Sequence, residues 1–402
     1  MSKAKALFGG AVVLYFIIGL EILIMISPFA AFFYAAFNPF LLFLVQHPGT
    51  RWLAAFFLPH MVSPPGLFLK AVRVAGSVLF VVGAIIFILC AGQVYYKKFF
   101  RKGVALGGLY SWVRHPQYLG LGLTGLGLSI LWPRFLVVAL WVVMAGLYYL
   151  LARDEERRML GQFGAEYKKY MARTGMFLPK RVEDRIFRLP LPKASAGRAA
   201  LALMLLACLA LGGAFGLRSY TIHHLPLWSD GPVTALAILP EDLPKLDHRM
   251  AAVLDLPEIK KHLEGQPGPF LVYFMPQDYI MQGMIADTGG TWKLYKQHHT
   301  LSMIGDWIFH PFRHLECGHA ASMGKGAGAM EGHPIMAGVV KRMIFLRVET
   351  AKAQPTPSDL LEINAHRTPL FFADVDIHNL TVKEIQDLPS ETGWGRVPTP
   401  LF

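Results

Sequence analysis

The chain has 402 residues, of which 54% are hydrophobic and 16% charged, with a net charge of +12. Soluble domains hold about 45–50% apolar and about 25% charged residues, so the excess calls for a lipid phase and excludes a wholly water-soluble enzyme. The positive balance is not a nucleic-acid footprint: residues 1–217 hold 23 Lys and Arg against 7 Asp and Glu, whereas residues 218–402 hold 16 against 20. The basic surplus lies beside long apolar runs, where it marks headgroup contact and membrane orientation.

In chain order, Leu7 to Phe37 is too long for the apolar core of a signal peptide and reads as an uncleaved membrane segment. Asn38 to Leu69 interrupts its apolar runs with Pro, His and Arg, which predicts a re-entrant or interfacial piece. Ala71 to Gln93, Tyr118 to Trp132, Phe135 to Ala152 and Ala199 to Leu217 approach the roughly 20 apolar residues needed to cross a bilayer. Trp132-Pro133-Arg134 breaks the middle two into a hairpin, because proline stops a helix and Trp and Arg suit an interface. Two of the three cysteines, Cys90 and Cys208, lie inside apolar runs as small packing residues, and Cys317 lies beyond them, so no disulfide framework is expected.

Five crossings and the positive-inside rule orient this arrangement. Lys97, Lys98, Arg101, Lys102 and Arg114 share one face with the dense basic run from Arg153 to Arg198, and that face is expected to be cytoplasmic. The residues from 218 onward then lie outside, and a bacterial inner membrane or its equivalent is the expected location. The predicted fold is an α-helical integral membrane core of about five transmembrane helices followed by a C-terminal α+β extramembrane domain. Residues 1–90 form its N-terminal transmembrane region, 91–188 a motif region, 189–217 the linker and last transmembrane helix, and 218–402 the α+β domain. In that last domain Phe270 to Phe274 and Arg342 to Arg347 read as strands, and Pro257 to Leu263 as a short helix with Asp255 near its start.

Two stretches carry chemistry. In Gly108-Leu-Tyr-Ser-Trp-Val-Arg-His-Pro-Gln-Tyr-Leu-Gly120, Pro116 opens a helix and places His115 at its cap. The free N–H groups and positive dipole end then sit beside Arg114, an anion site suited to a carboxylate or phosphate. The second stretch, Arg153 to Tyr170, puts Glu156, Leu160, Phe163, Tyr167 and Tyr170 on one face of a basic amphipathic helix expected to lie on the membrane. Its first turn keeps Glu155 and Glu156 at the membrane edge near Arg114. Acidic residues are a minority in this half, so a carboxylate pair there is conspicuous. Taken singly, each stretch also fits a plain cap or a solvated charged face.

Together they resemble the family of integral membrane methyltransferases that includes isoprenylcysteine carboxyl methyltransferase and the phospholipid methyltransferases. Gly-x-Tyr-x-x-x-Arg-His-Pro-x-Tyr-x-Gly falls at Gly108 to Gly120, Glu-Glu with Phe-Gly-x-x-Tyr-x-x-Tyr at Glu155 to Tyr170, and a trailing Phe177-Leu-Pro179 follows. The likeness runs from about Ala91 to Arg181. It implies S-adenosylmethionine as cofactor, held at the cytoplasmic face by Tyr110, Arg114, His115, Pro116, Tyr118, Gly120, Glu155 and Glu156, with Arg114, His115 and Glu156 as the catalytic set. It also implies membrane lipids as partners and a lipophilic acceptor: a lipid amine, a prenylcysteine-type carboxylate or a small thiol. Glu21 either faces the acceptor's passage or makes an interhelical hydrogen bond.

The C-terminal domain departs from that family. His298, His299, His310, His314 and His319, with Met303 and Cys317, allow a copper or zinc site or a set of structural histidines, and no ligand is assigned. Gly324-Lys-Gly-Ala-Gly328 lacks the Lys-Ser/Thr ending of a phosphate loop and reads as a flexible loop. A protein partner for this domain is open. The competing account is a non-catalytic membrane scaffold whose histidine-rich domain binds metal or a redox partner.

Overall fold

The computed structural model describes residues 40–59, 62, 66–100, 106–186, 195–279, 282, 285–286 and 340–390. Glu21, the expected first span and the histidine cluster from His298 to His319 lie outside the described residues. The chain divides into two compact units: 1–22 with 67–217, and 23–66 with 218–402.

The first unit is built on α2 (Leu67–Phe99), α3 (Pro116–Leu131), α4 (Phe135–Arg173), the short α5 (Lys180–Ile186) and the greater part of α6 (Ser195–His224). Among the described residues α2, α4 and α6 are long and apolar enough to cross a membrane. The expected span over Tyr118–Trp132 falls short of that set. Helix α3 has 16 residues, a rise of about 24 Å against a hydrocarbon core of about 30 Å. The amphipathic stretch expected to emerge from the fourth span is continuous with it, as α4 runs from Phe135 through the Glu155-Glu156 pair to Arg173. Its one break is at Gly164, where φ is 53° and ψ −122°. That residue lacks the Cβ that penalises a left-handed φ.

Glycines set the distance between α2 and α3. A Cβ on Gly83 would lie 2.5 Å from Thr124 N, one on Gly120 2.8 Å from Phe87 N, and one on Gly127 2.4 Å from Phe80 N. The two backbones therefore touch, which is the way helices gain dispersion contact where lipid removes the hydrophobic drive. Helix α3 is joined to α4 by Trp141, whose Nε1 donates to Gly122 O at 2.8 Å while its ring covers Gly125.

The second unit is a six-stranded sheet in sequential order: β1 (Leu227–Asp230), β2 (Val233–Ala237), β3 (Phe270–Pro276), β4 (Val340–Glu349), β5 (His366–Asp376) and β6 (Thr381–Asp387). Neighbours pair antiparallel except β2 and β3, which are parallel and joined through α7 (Leu246–Leu254) and α8 (Pro257–Leu263). A parallel pair needs such a crossover. Helices α7 and α8 cover one face through Met250, Val253 and Ile259 against Val272, Phe274, Met343 and Phe345. The other face packs Leu271, Tyr273, Ile344 and Phe372 against Ile222, Leu225, Leu361 and Val62. This explains why every residue of β3 is buried.

Val62 shows that part of the 38–69 stretch, expected as re-entrant or interfacial, belongs to this core. The four-residue α1 (Arg51–Ala54) precedes Phe56, whose carbonyl accepts from Arg218, and Arg218 Nη2 donates to Leu361 O at 2.7 Å. Strand β4 carries consecutive cations to opposite faces, as a period of two requires. Lys341 Nζ meets Asp242 at 2.8 Å on the helix-covered side, and Arg342 makes a two-pronged pair with Asp374 at 2.6 and 2.5 Å on the other.

Candidate functional site

The hairpin places both sequence motifs together. A single 3-10 turn, Gly108–Ser111, starts from Gly108 at φ +64° and turns Tyr110 inward. The buried Tyr110 hydroxyl donates to Gln117 Oε1 at 3.0 Å, and burial raises its pKa. Pro116 is the first residue of α3 and His115 its N-terminal neighbour, as the spacing predicts. The His115 side chain does not cap the helix; its carbonyl accepts from the Tyr118 and Leu119 amides instead.

Freed from capping, the imidazole lies between the two carboxylates of α4. Nδ1 is 3.4 Å from Glu155 Oε2 and Nε2 is 3.5 Å from Glu156 Oε1, with the side chain only 4% exposed. Neither nitrogen completes a hydrogen bond among the described residues. Burial pushes the imidazole pKa down, but the two carboxylates outweigh it and the net value rises above the ordinary 6.5.

Arg114 is held by more contacts. Its Nε donates to Glu156 Oε1 at 2.5 Å, and its Nη1 reaches Met171 O at 3.1 Å and Thr174 O. Its backbone N–H donates to Gly175 O at 2.8 Å, and that of His115 to Met176 O at 3.1 Å. The chain after α4 therefore folds back as a strand-like bridge beside Val113. Tyr118 completes the group: its hydroxyl donates to Glu155 Oε1 at 2.6 Å, and its ring stacks on His115 at 5.7 Å and on Tyr148 at 5.4 Å.

Seven of the eight expected site residues thus gather at the mouth of the hairpin. Gly120 does not join them; it lies on the α2–α3 seam, where its missing Cβ sets helix spacing. Sequence reasoning left Gly175 and Glu183 without a role and gave Tyr170 only a place on the shared helix face and in the motif. Tyr170 donates to Tyr110 O at 2.6 Å. It also lines a cleft of about 170 Å³ with Leu106, Met159, Phe163, Glu166 and Tyr167. The signal for the return loop was the trailing Phe177-Leu-Pro179. Among the described residues no group of three His, Cys, Asp or Glu side chains can hold a metal ion.

With this geometry in hand, the comparisons define the class. Residues 67–166 match the family model of the phospholipid methyltransferases, so this part of the chain is similar to that family of membrane methyltransferases. The likeness read from the two motifs is borne out over that range; the return loop at 174–178 lies beyond it. The chain is also 36% identical over 74 residues to the protein-S-isoprenylcysteine O-methyltransferase of Saccharomyces cerevisiae, which is 18% of this chain and 30% of the yeast protein. The chain thus spans about 30% of that relative's length. No solved structure matches.

Proposed function

We propose that the chain moves a methyl group from S-adenosylmethionine to a lipophilic acceptor at the cytoplasmic face of a membrane. The observation that carries this is the convergence of Arg114, His115, Glu155 and Glu156 within 3.5 Å of one another's partners. The donor set fits the group: a guanidinium for its carboxylate, carboxylates for its ammonium or ribose hydroxyls, and a buried imidazole whose two nitrogens lack completed bonds. Glu155, at 35% side-chain exposure, is the accessible acid, whereas Glu156 is already held by Arg114. Among the described residues the three side-chain bonds of Arg114 use Nε and Nη1, which leaves its Nη2 edge for an incoming carboxylate.

When bound, S-adenosylmethionine supplies an electrophilic methyl carbon on a sulfonium. The residues of this chain then have a positioning task, because a displacement needs the reacting atoms aligned at about 3–3.5 Å more than it needs a strong acid or base. A thiolate or carboxylate acceptor has no proton to lose. An amine does, and the neutral form of His115, or Glu156 once freed from Arg114, would receive it. The cleft beside Tyr170 offers apolar and aromatic walls to a lipophilic acceptor. The basic runs flanking both motifs support a cytoplasmic site.

The test is incubation of the purified protein with isotopically labelled S-adenosylmethionine and a total lipid extract. Label in a lipid amine, a thiol or a carboxylate names the acceptor. Calorimetry in detergent should show Arg114→Ala and Glu156→Ala each binding the donor at least about tenfold more weakly, some 1.4 kcal/mol. Wild-type affinity in both variants, or no donor binding by the unaltered protein, would overturn the reading.

A further inference from the structure

Arg114 and His115 are aimed by a loop, and the loop is held by one side chain. Gly175 O and Met176 O accept the backbone N–H groups of Arg114 and His115, and Met171 O and Thr174 O accept the Arg114 guanidinium. The same loop turns so tightly that a Cβ on Gly175 would lie 1.9 Å from Leu178 O and 2.8 Å from the Glu183 carboxyl carbon. Its next three amides, Met176, Phe177 and Leu178, point inward to a single atom. Glu183 Oε1 accepts all three, at 2.6, 3.1 and 3.3 Å.

The geometry points to Glu183 as the positioning residue of the donor site: its carboxylate gathers three loop amides and thereby fixes the carbonyls that hold Arg114 and His115. It touches no reactant in this scheme. Without an oxygen to accept them, three amides turned to one side of the loop would be left unpaired, and the carbonyls on the other side would lose their direction. This inference rests on the proposed donor site. Its scope is separate, because Glu183 lies outside the 67–166 stretch that matches the family.

Two substitutions test it in the full-length protein. Glu183→Leu removes the acceptor, and Glu183→Gln keeps an oxygen at the same reach. Binding of S-adenosylmethionine, KM and kcat are measured with backbone amide exchange at Met176, Phe177 and Leu178. Glu183→Leu should speed exchange at all three amides, weaken donor binding at least tenfold and lower kcat/KM by about 10²-fold. Glu183→Gln should restore most of each, which a lost charge alone would not allow. Should the leucine variant not fold, Glu183→Asp, which withdraws the oxygen by one methylene, takes its place with the same expected losses. Donor affinity and exchange equal to wild type in the variant lacking the acceptor overturn the inference. That result is distinguishable from failure of the donor-site reading, in which the unaltered protein itself does not bind S-adenosylmethionine.

Discussion

Arg342 in the sheet domain and Arg114 in the helical domain are both buried beside a carboxylate, at 9% and 8% side-chain exposure. Their surroundings differ. Arg342 grips Asp374 with two nitrogens, gives its third to Gln282 Oε1 at 2.9 Å and lies over the Phe372 ring at 4.0 Å, while Gln277 satisfies Asp374 from the other side. The Arg114 cluster contains an imidazole with two buried, uncompleted nitrogens and a glutamate shared between two cations. A closed network has nothing left to offer a ligand; an open one has. The density of buried charge is therefore a poor guide to function, and its incompleteness a better one.

The largest effect that would sharpen this contrast is in the closed network. Arg342→Ala leaves Asp374, which is 0% exposed, without its cation and with the Gln277 amide alone, and should cost the sheet domain about 3–5 kcal/mol. Thermal unfolding and amide exchange over β4 and β5 read that loss, while donor binding per folded molecule stays at the wild-type value. A large drop in donor affinity with intact sheet protection would break the assignment of this cluster to stability. Next comes Gly175→Ala on the open side. The new methyl meets Leu178 O, so about 1–3 kcal/mol of strain is expected, with donor affinity falling alongside stability.

The two regions should also answer pH in opposite directions. The imidazolium of His115 is favoured by its two carboxylates, so its contribution is full below the ordinary 6.5 and is lost as pH rises through the raised folded value. In the sheet domain Asp359 is pulled down to about 2, chiefly by the Lys352 ammonium, and Asp376 is lowered by the Asn379 and His378 amides. Those contributions are full above the ordinary 3.8 and are lost as pH falls toward 2. Amide exchange followed by region should show α3 and the return loop loosening on the alkaline side and the turns at 356–359 and 376–379 on the acid side. Loosening of both on the same side would remove the distinction.

Much of the site was legible in the sequence because its chemistry is local. Pro116 after His115 fixes a helix start, and the Glu155-Glu156 pair stands out in a half of the chain with few acids. The hairpin break at Trp132-Pro133-Arg134 then implies that the two ends meet. In the sheet domain, the helix at Pro257–Leu263 and the strands at β3 and β4 were equally readable from pattern. What stayed hidden depends on contacts distant in sequence. Nothing local says that Val62 enters the core of a sheet that starts at residue 227, or that Arg218 holds the Phe56 carbonyl. The glycines of α2 and α3 are ambiguous in a different way. Gly120 sits inside a motif and invites a ligand role, yet the same residue is what close helix packing demands. Helix α4 carries its apolar stretch and the charged Arg153 to Tyr170 stretch in one run, because a helix tolerates such a change of face without ending.

The smallest effect tests how wet the open cluster is. Tyr118→Phe removes one hydroxyl, the donor to Glu155 Oε1 at 2.6 Å, and keeps the ring between His115 and Tyr148, where the stacking distances of 5.7 and 5.4 Å need no oxygen. A hydrogen bond to a fully buried carboxylate is expensive to lose, because the acceptor is left bare. Glu155 is 35% exposed, so water can take the vacated place, and the loss should stay near about 1 kcal/mol in thermal unfolding. Donor affinity should move by less than about fivefold if the hydroxyl merely orients Glu155, since 1 kcal/mol corresponds to roughly that ratio. A much larger loss of affinity with unchanged stability would place the Tyr118 oxygen itself on the donor. The aromatic stack would then be part of the binding surface, and the boundary of the open network would shift one turn further into α3.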